Sequence, residues 1–247
     1  MIIQKIIQIA KSPKIAKSWL AKNRLTQGCF KVYLTCYNYL AMKTGIVGKT
    51  IRGSFGRQNT ISPLAVITYD RVVIGDFCSF GNRAVIEKNS RIGNRVVIGP
   101  GTVVSSEGFE IRRIGGELVP IVHVGGVTIH DDTVIGSYVC IDKSVYGSDT
   151  EIMEKTRIDN FVHVAHGVKI GKRCSIGASA MIGGKVIIGD NVTVGLRAII
   201  SDQIEIGDGA IISQGAVVTK NVPPGQNVTG NFAISHDKFL KFFTEIR

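Results

Sequence analysis

From Ile152 to Val218 an aliphatic residue returns every six positions without a miss, through Ile158, Val164, Ile170, Ile176, Ile182, Ile188, Val194, Ile200, Ile206 and Ile212. A second small or apolar residue follows each by four, as at Val168, Cys174, Ala180, Val186, Val192 and Ala198. Side chains alternate across a strand, so the first and fifth members of each hexad turn to the same side. The members between hexads, with glycine at 171, 177, 183, 189 and 195, supply corners. A helix would repeat every 3.6 residues, which this segment does not do. Three short strands then make a triangular coil of about 18 residues, and coils stack at the ~4.8 Å spacing of paired strands. The pattern predicts an all-β chain, a parallel β-helix of hexapeptide repeats with three strands per coil and edges only at its two ends.

The same period runs earlier through Ile74, Phe80, Ile86, Ile92, Ile98 and Val104, and again through Ile129, Ile135 and Ile141. It slips across residues 105–127 and 146–151. An excursion of about 20 residues from so tight a coil is more often functional than ornamental. Val222-Pro-Pro-Gly stops the repeat, and the run Phe232–Phe243 reads as a short amphipathic helix capping the open end. The chain therefore divides into a basic helical segment at 1–45, the β-helix at 46–225 with its insertion near 105–127, and a C-terminal tail and helix at 226–247.

Charge adds one fact to this picture. The net charge is +11, and residues 1–69 hold 11 of the 30 Lys and Arg and none of the 19 Asp and Glu. The rest of the chain is balanced, so the whole excess sits in the first quarter. There Lys5, Lys11, Lys14, Lys17, Lys22 and Lys31 interrupt apolar stretches that also carry Trp19, Phe30, Tyr33, Tyr37 and Tyr39. No run reaches the ~20 apolar residues of a membrane span. No small-residue cleavage site marks a secretory signal. Such a segment suits either peripheral contact with an anionic membrane surface or packing on an oligomer with its lysines solvated. Nucleic acid is not expected, since no recognition motif accompanies the charge. The five cysteines show no CxxC spacing, which argues against a disulfide framework or structural zinc and for the reducing cytoplasm.

The β-helix itself carries no catalytic power, so chemistry must sit on polar groups placed where bland corner residues normally stand. The run Ile158–Gly171 has three, Asn160, His163 and His166. Acyl transfer to an amine or alcohol needs a base for the acceptor's proton, and histidine, titrating near neutrality, suits that work at ~10²- to 10⁴-fold.

In the stretches Ser105–Glu110, Pro120–Gly136, Val139–Val145 and Arg157–Gly171 the chain resembles the UDP-3-O-acylglucosamine N-acyltransferases of lipid A synthesis, and His163-Val-Ala-His166 also resembles their sister O-acyltransferases. The resemblance implies a left-handed β-helix and a homotrimer whose sites lie between prisms. It also implies that His166 is the general base and that His163, with Asn160 beside it, holds the acceptor sugar. Gly184 matches a glycine of the acyl-donor region, and Lys220 matches a donor-end arginine suited to the phosphate of pantetheine. The donor so implied is acetyl-CoA or another acyl-CoA, with an acyl carrier protein thioester as the alternative, and no metal.

The chain also departs from that family. Gln203 stands where the lipid A enzyme has a second functional histidine, nothing in 1–45 resembles its uracil-holding domain, and the C-terminal helix is short. The closing run Gly215–Ala233 resembles that of acetyl-CoA-dependent sugar acetyltransferases. The acceptor expected is thus the amino group of a nucleotide-linked sugar of a surface polysaccharide. The alternatives are O-acetylation of a membrane-linked glycan, a non-catalytic scaffold, and a zinc enzyme of the trimeric carbonic anhydrase kind. The last is disfavoured because His163 and His166 are three apart, and His123 and His130 seven, where a five-residue spacing is needed.

Overall fold

The computed structural model describes residues 53–68, 70–145, 148–230 and 235–245, so the basic segment 1–45 lies outside the described residues. Strands run from Ser54–Phe55 to Asn227–Val228 and fall into three parallel sheets of eight, nine and eight strands. Each sheet is one face of a triangular prism, and the chain visits the faces in turn. The first face includes Lys169–Ile170 and Ile187–Ile188, the second Ser175–Ile176 and Thr193–Val194, the third His163–Val164 and Met181–Ile182. Pairing joins residues 18 apart wherever the hexad is unbroken, as in Ile170 with Ile188 and Val164 with Ile182. The architecture is the left-handed parallel β-helix of hexapeptide repeats.

The predicted inward positions form the core. Ile86, Ile98, Ile129, Ile135, Ile141, Ile152, Ile170, Ile176, Ile182 and Ile188 are all buried, and Ala180, Val186, Val192 and Ala198 fill the fifth positions. Most corners carry one residue with left-handed backbone. Between Lys155 and Gly215 it recurs every six residues, at Phe161, Gly167, Arg173, Ser179, Lys185, Asn191, Arg197, Gln203 and Gly209, with φ between 54° and 69°. A non-glycine residue pays about 1–2 kcal/mol for this conformation. Inter-coil hydrogen bonds hold the corners in place despite that cost. Besides the strand ladder, side-chain oxygens cap corner amides one coil away, Asp190 Oδ1 accepting from Lys172 N–H at 2.8 Å and Asp208 Oδ1 from Asp190 N–H at 2.8 Å.

The slip at 105–127 is an insertion leaving the corner between the third and first faces. It carries an antiparallel hairpin, Ile111–Ile114 with Glu117–Pro120. Gly115 and Gly116 turn it with φ of 58° and 89°, a conformation open to few other residues. The prism also runs past the expected stop. Asn227–Val228 pairs with Ile211–Ile212, because a proline pair at a corner breaks no strand. Beyond it a helix, His236–Glu245, has only exposed residues among those described, so these do not seal the last coil. Among the described residues no helix is long and apolar enough to cross a membrane.

Truncating one inward residue should cost far more than truncating its outward neighbour. Ile188→Ala is expected to lose about 2–5 kcal/mol, and Ile187→Ala to stay within about 1 kcal/mol, measured by urea denaturation at one fixed protein concentration.

Candidate active site

An 18-residue pitch stacks residues that sit 18 apart in sequence. His166, Gly184, Asp202 and Lys220 are such a series, and all fall on the corner between the third and first faces. Backbone bonds fix the stacking, with Lys185 N–H donating to His166 C=O and Gln203 N–H to Gly184 C=O, each at 2.9 Å. His166 and Lys220 are thus three coils, or about 14 Å, apart. The insertion leaves this same corner and folds back over it. Together they border an open cavity of about 940 Å³, lined by His166, Gly184, Lys185, Gln203 and Lys220 on the prism and by Phe109, Glu110 and Arg112 on the insertion.

The His166 side chain is about 10% exposed, and its Nε2 lies 3.2 Å from Glu110 Oε2. Its Nδ1 is buried without a partner. Gly167 N–H donates to Thr150 Oγ1 at 2.8 Å, and that hydroxyl donates to the Asp142 carbonyl, so the corner carrying the imidazole is pinned to the coil above. Gly184 is what leaves the ring room. A Cβ there would stand 2.8 Å from His166 Cε1 and Nε2. The Gly184 N–H itself donates to Asp202 Oδ1 at 2.7 Å, so this amide is already engaged and does not offer a free donor to a thioester carbonyl.

Charge in the cavity is mixed and paired. Burial alone would push the Glu110 carboxyl up, but its bond to His166 and the charges of Lys185 and Arg112 outweigh burial and hold it at about 2. Its negative charge therefore stabilises the fold above the ordinary value of 4.5 and loses that contribution as pH falls through about 2. Burial pushes the Lys185 ammonium down.

The other two expected site residues lie outside the cavity wall. His163 points outward from the middle of the third face, with Nε2 3.6 Å from Asp142 Oδ2. Asn160 stands at the preceding corner, where its Oδ1 accepts from Ser137 N–H at 2.7 Å as part of the inter-coil capping. Gln203 does line the cavity.

Sequence reasoning missed what the insertion brings. Glu107, Glu110, Arg112 and His123 all come from it. On the coil beneath, Asp142 is buried with Ser106 Oγ donating to Oδ1 at 2.5 Å, and Lys143 pairs with Glu107. The His123 ring meets His166 edge-on with centroids 5.4 Å apart. The usable signal was a charged excursion leaving the histidine corner, but periodicity says nothing about how an excursion folds.

The sequence pattern of the bacterial transferase hexapeptide family (six repeats) matches residues 71–106 and 149–184, and that of the hexapeptide repeat of succinyl-transferase matches 185–220. The UDP-3-O-acylglucosamine N-acyltransferase of Caulobacter vibrioides (strain NA1000 / CB15N) is 39% identical over 102 residues, covering 41% of this chain and 30% of that protein. UDP-3-O-acylglucosamine N-acyltransferase 2 of Nitrobacter winogradskyi is 44% identical over 87 residues, covering 35% and 25%. The match thus spans less than a third of the length of these curated relatives. Among solved structures, the UDP-N-acetylglucosamine acyltransferase from Bacteroides fragilis 9343 superposes with a TM-score of 0.65 at 26% identity, over 75% of this chain and 71% of that one. Repeat matches on both sides of the insertion, three faces of short parallel strands and this shared prism agree on a left-handed β-helix of hexapeptide repeats similar to that of the acyltransferases named above.

Proposed function

We propose that the protein moves an acyl group from a pantetheine thioester to the amino group of a nucleotide-linked sugar, with His166 as general base. The observation that carries this reading is the column of His166, Gly184 and Lys220 along one wall of a single cavity. The nitrogen lone pair attacks the thioester carbonyl, a C–N bond forms, the C–S bond breaks, and the proton taken by His166 passes to the departing thiolate. Glu110 Oε2, 3.2 Å from His166 Nε2, holds the orientation of the imidazole. Lys220, about 14 Å along the wall, suits the phosphate at the far end of a pantetheine arm. Coenzyme A and an acyl carrier protein both present that arm, and acetyl-CoA is the donor proposed. The relatives' printed names, N-acyltransferases of a UDP-linked glucosamine, support an amine acceptor.

We also infer a homotrimer. The outward positions of the third face are Val66, Val85, Val103, Cys140, His163, Met181, Ile199 and Val217, a stripe apolar apart from the histidine. The other two faces mix in Arg91, Glu151, Lys169 and Glu205, or Arg157 and Asn227. A long exposed apolar stripe of this kind suits burial against further copies. The basic segment 1–45 is the part of the chain suited to an anionic membrane surface.

Acetyl-CoA with a panel of nucleotide-linked amino sugars, followed by thiol release, tests the activity directly. His166→Ala is expected to lower transfer at least ~10²-fold. Gly184→Ala should also cost more than ~10-fold while leaving circular dichroism unchanged, since its methyl lands on the catalytic ring rather than in the core. Lys220→Ala should raise KM for acetyl-CoA roughly 10-fold or more yet leave KM unchanged for a truncated thioester that lacks the phosphate. Light scattering should give a mass near three times 26.7 kDa, and Ile199→Glu should reduce it toward one chain.

A further inference from the structure

A thioester carbonyl under attack needs a hydrogen-bond donor as its oxygen gains charge, and the backbone amide beside the imidazole is already engaged. Gly184 N–H, one coil on from His166, donates to Asp202 Oδ1 at 2.7 Å. Another donor must lie close to His166. A base within about 3 Å of the attacking nitrogen is only bond lengths from the carbonyl that this nitrogen enters.

Lys185 stands at that place. Its backbone N–H donates to His166 C=O at 2.9 Å, and a Cβ built on Gly167 would come 3.4 Å from its Cγ. The lysine stem therefore lies across the residue next to His166, and the side chain lines the same open cavity. An ammonium carries three donors. Among the described residues Lys185 Nζ forms no hydrogen bond or ion pair, and Glu110 and Asp202 act on it only through space. Arg112, the cation that the insertion brings to the cavity, is paired with Glu110. Lys185 is thus the cation beside His166 whose donors are free to meet a ligand.

We propose that Lys185 is a second catalytic residue, its ammonium donating to the thioester carbonyl oxygen as that oxygen becomes an oxyanion. This rests on the acyltransferase reading. As the amine lone pair forms the C–N bond, the carbonyl π pair moves onto oxygen. There Lys185 meets it with a charge-assisted hydrogen bond and keeps its own proton. The pair then returns to re-form the carbonyl, the C–S bond breaks, and the departing thiolate takes the proton that His166 removed from the amine. The lysine acts mainly in the transition state, because the oxygen carries a full charge only there.

Holding a phosphate of either substrate is the rival role. A phosphate keeps its charge throughout the reaction, so a lysine bound to it moves KM, whereas an oxyanion donor moves kcat. Position favours the carbonyl, since Lys185 is in the coil next to His166 and Lys220 is three coils away.

The test compares full-length wild type, Lys185→Met and Lys185→Arg by thiol release, with acetyl-CoA and the best nucleotide-linked amino sugar of the panel. Lys185→Met should lower kcat ~10²-fold or more while both KM values stay within ~3-fold. Lys185→Arg keeps the charge and the donors and should recover most of that loss. The pH profile is a readout that a merely structural lysine would not move. Burial and Arg112 weaken the hold of Lys185 on its proton, Glu110 and Asp202 strengthen it, and the balance is downward from the ordinary 10.5. His166 is the titratable group of the coil before. Wild-type kcat should therefore fall on the alkaline side below pH 10.5 as the ammonium loses its proton, and in Lys185→Arg that fall should move to higher pH, because a guanidinium stays charged. If Lys185→Met folds poorly, this comparison decides. An unchanged kcat in Lys185→Met would overturn the proposal, as would a loss carried by either KM, or an alkaline fall that Lys185→Arg leaves in place. Wild type that transfers no acyl group would sink both this proposal and the reading beneath it. Transfer that is lost in His166→Ala yet kept in Lys185→Met would sink this proposal alone.

Discussion

Every other feature of the molecule depends on the return of the chain to the same lateral position after three hexads. An inward isoleucine or valine at each turn leaves the strand one register in which the aliphatic stack stays unbroken, and a shift of a single residue would turn that whole stack to solvent. Parallel pairing of residues 18 apart is the result. It is also what makes a corner a column. Groups far apart in sequence, such as His166 and Lys220, stand above one another on a rigid edge, at distances set by strand spacing rather than by side-chain packing.

A column alone encloses nothing. The prism's corners are convex, and the cavity exists because the excursion between Val104 and Val127 leaves the corner that bears His166 and folds back along it. This division of labour suits chemistry. The coils supply a fixed frame, and the insertion supplies the groups that give the frame a local electrostatic character. Glu110 stays ionised although nearly buried, because the imidazole and two flanking cations outweigh its desolvation. Lys143 is buried too, and its charge is met by Glu107 from the same insertion. Such pairs add little net stability, yet removing one partner would strand a buried charge, which ties the insertion's position to the corner beneath it.

Glycines serve two different ends here. At Gly115 and Gly116 the need is conformational, since the hairpin turn demands positive φ. At Gly108 and Gly184 it is spatial, because a side chain would strike the His123 ring or the His166 ring. Asn160 shows the converse. Its polar side chain, conspicuous in the sequence, caps an amide of the coil above as Asp190, Asp202 and Asp208 do. A polar corner residue is thus a structural device of the repeat as often as a mark of chemistry.

The sequence by itself determined the prism, its period, its inward residues and the point of its main interruption, because all of these follow from a hydrophobic alternation that only one kind of coil satisfies. It also determined that His166, Gly184 and Lys220 share an edge, since they are multiples of 18 apart. Tertiary structure alone decided how the edge becomes a cavity. The partners of the histidine, Glu110 and His123, come from a segment with no period, and their approach depends on how that hairpin folds against the corner. Asp142 lay within a regular hexad run, and its burial beside Ser106 of the insertion became apparent only in the fold. Periodic positions are fixed by local alternation, whereas the meeting of an insertion with a corner is a long-range contact that alternation does not encode.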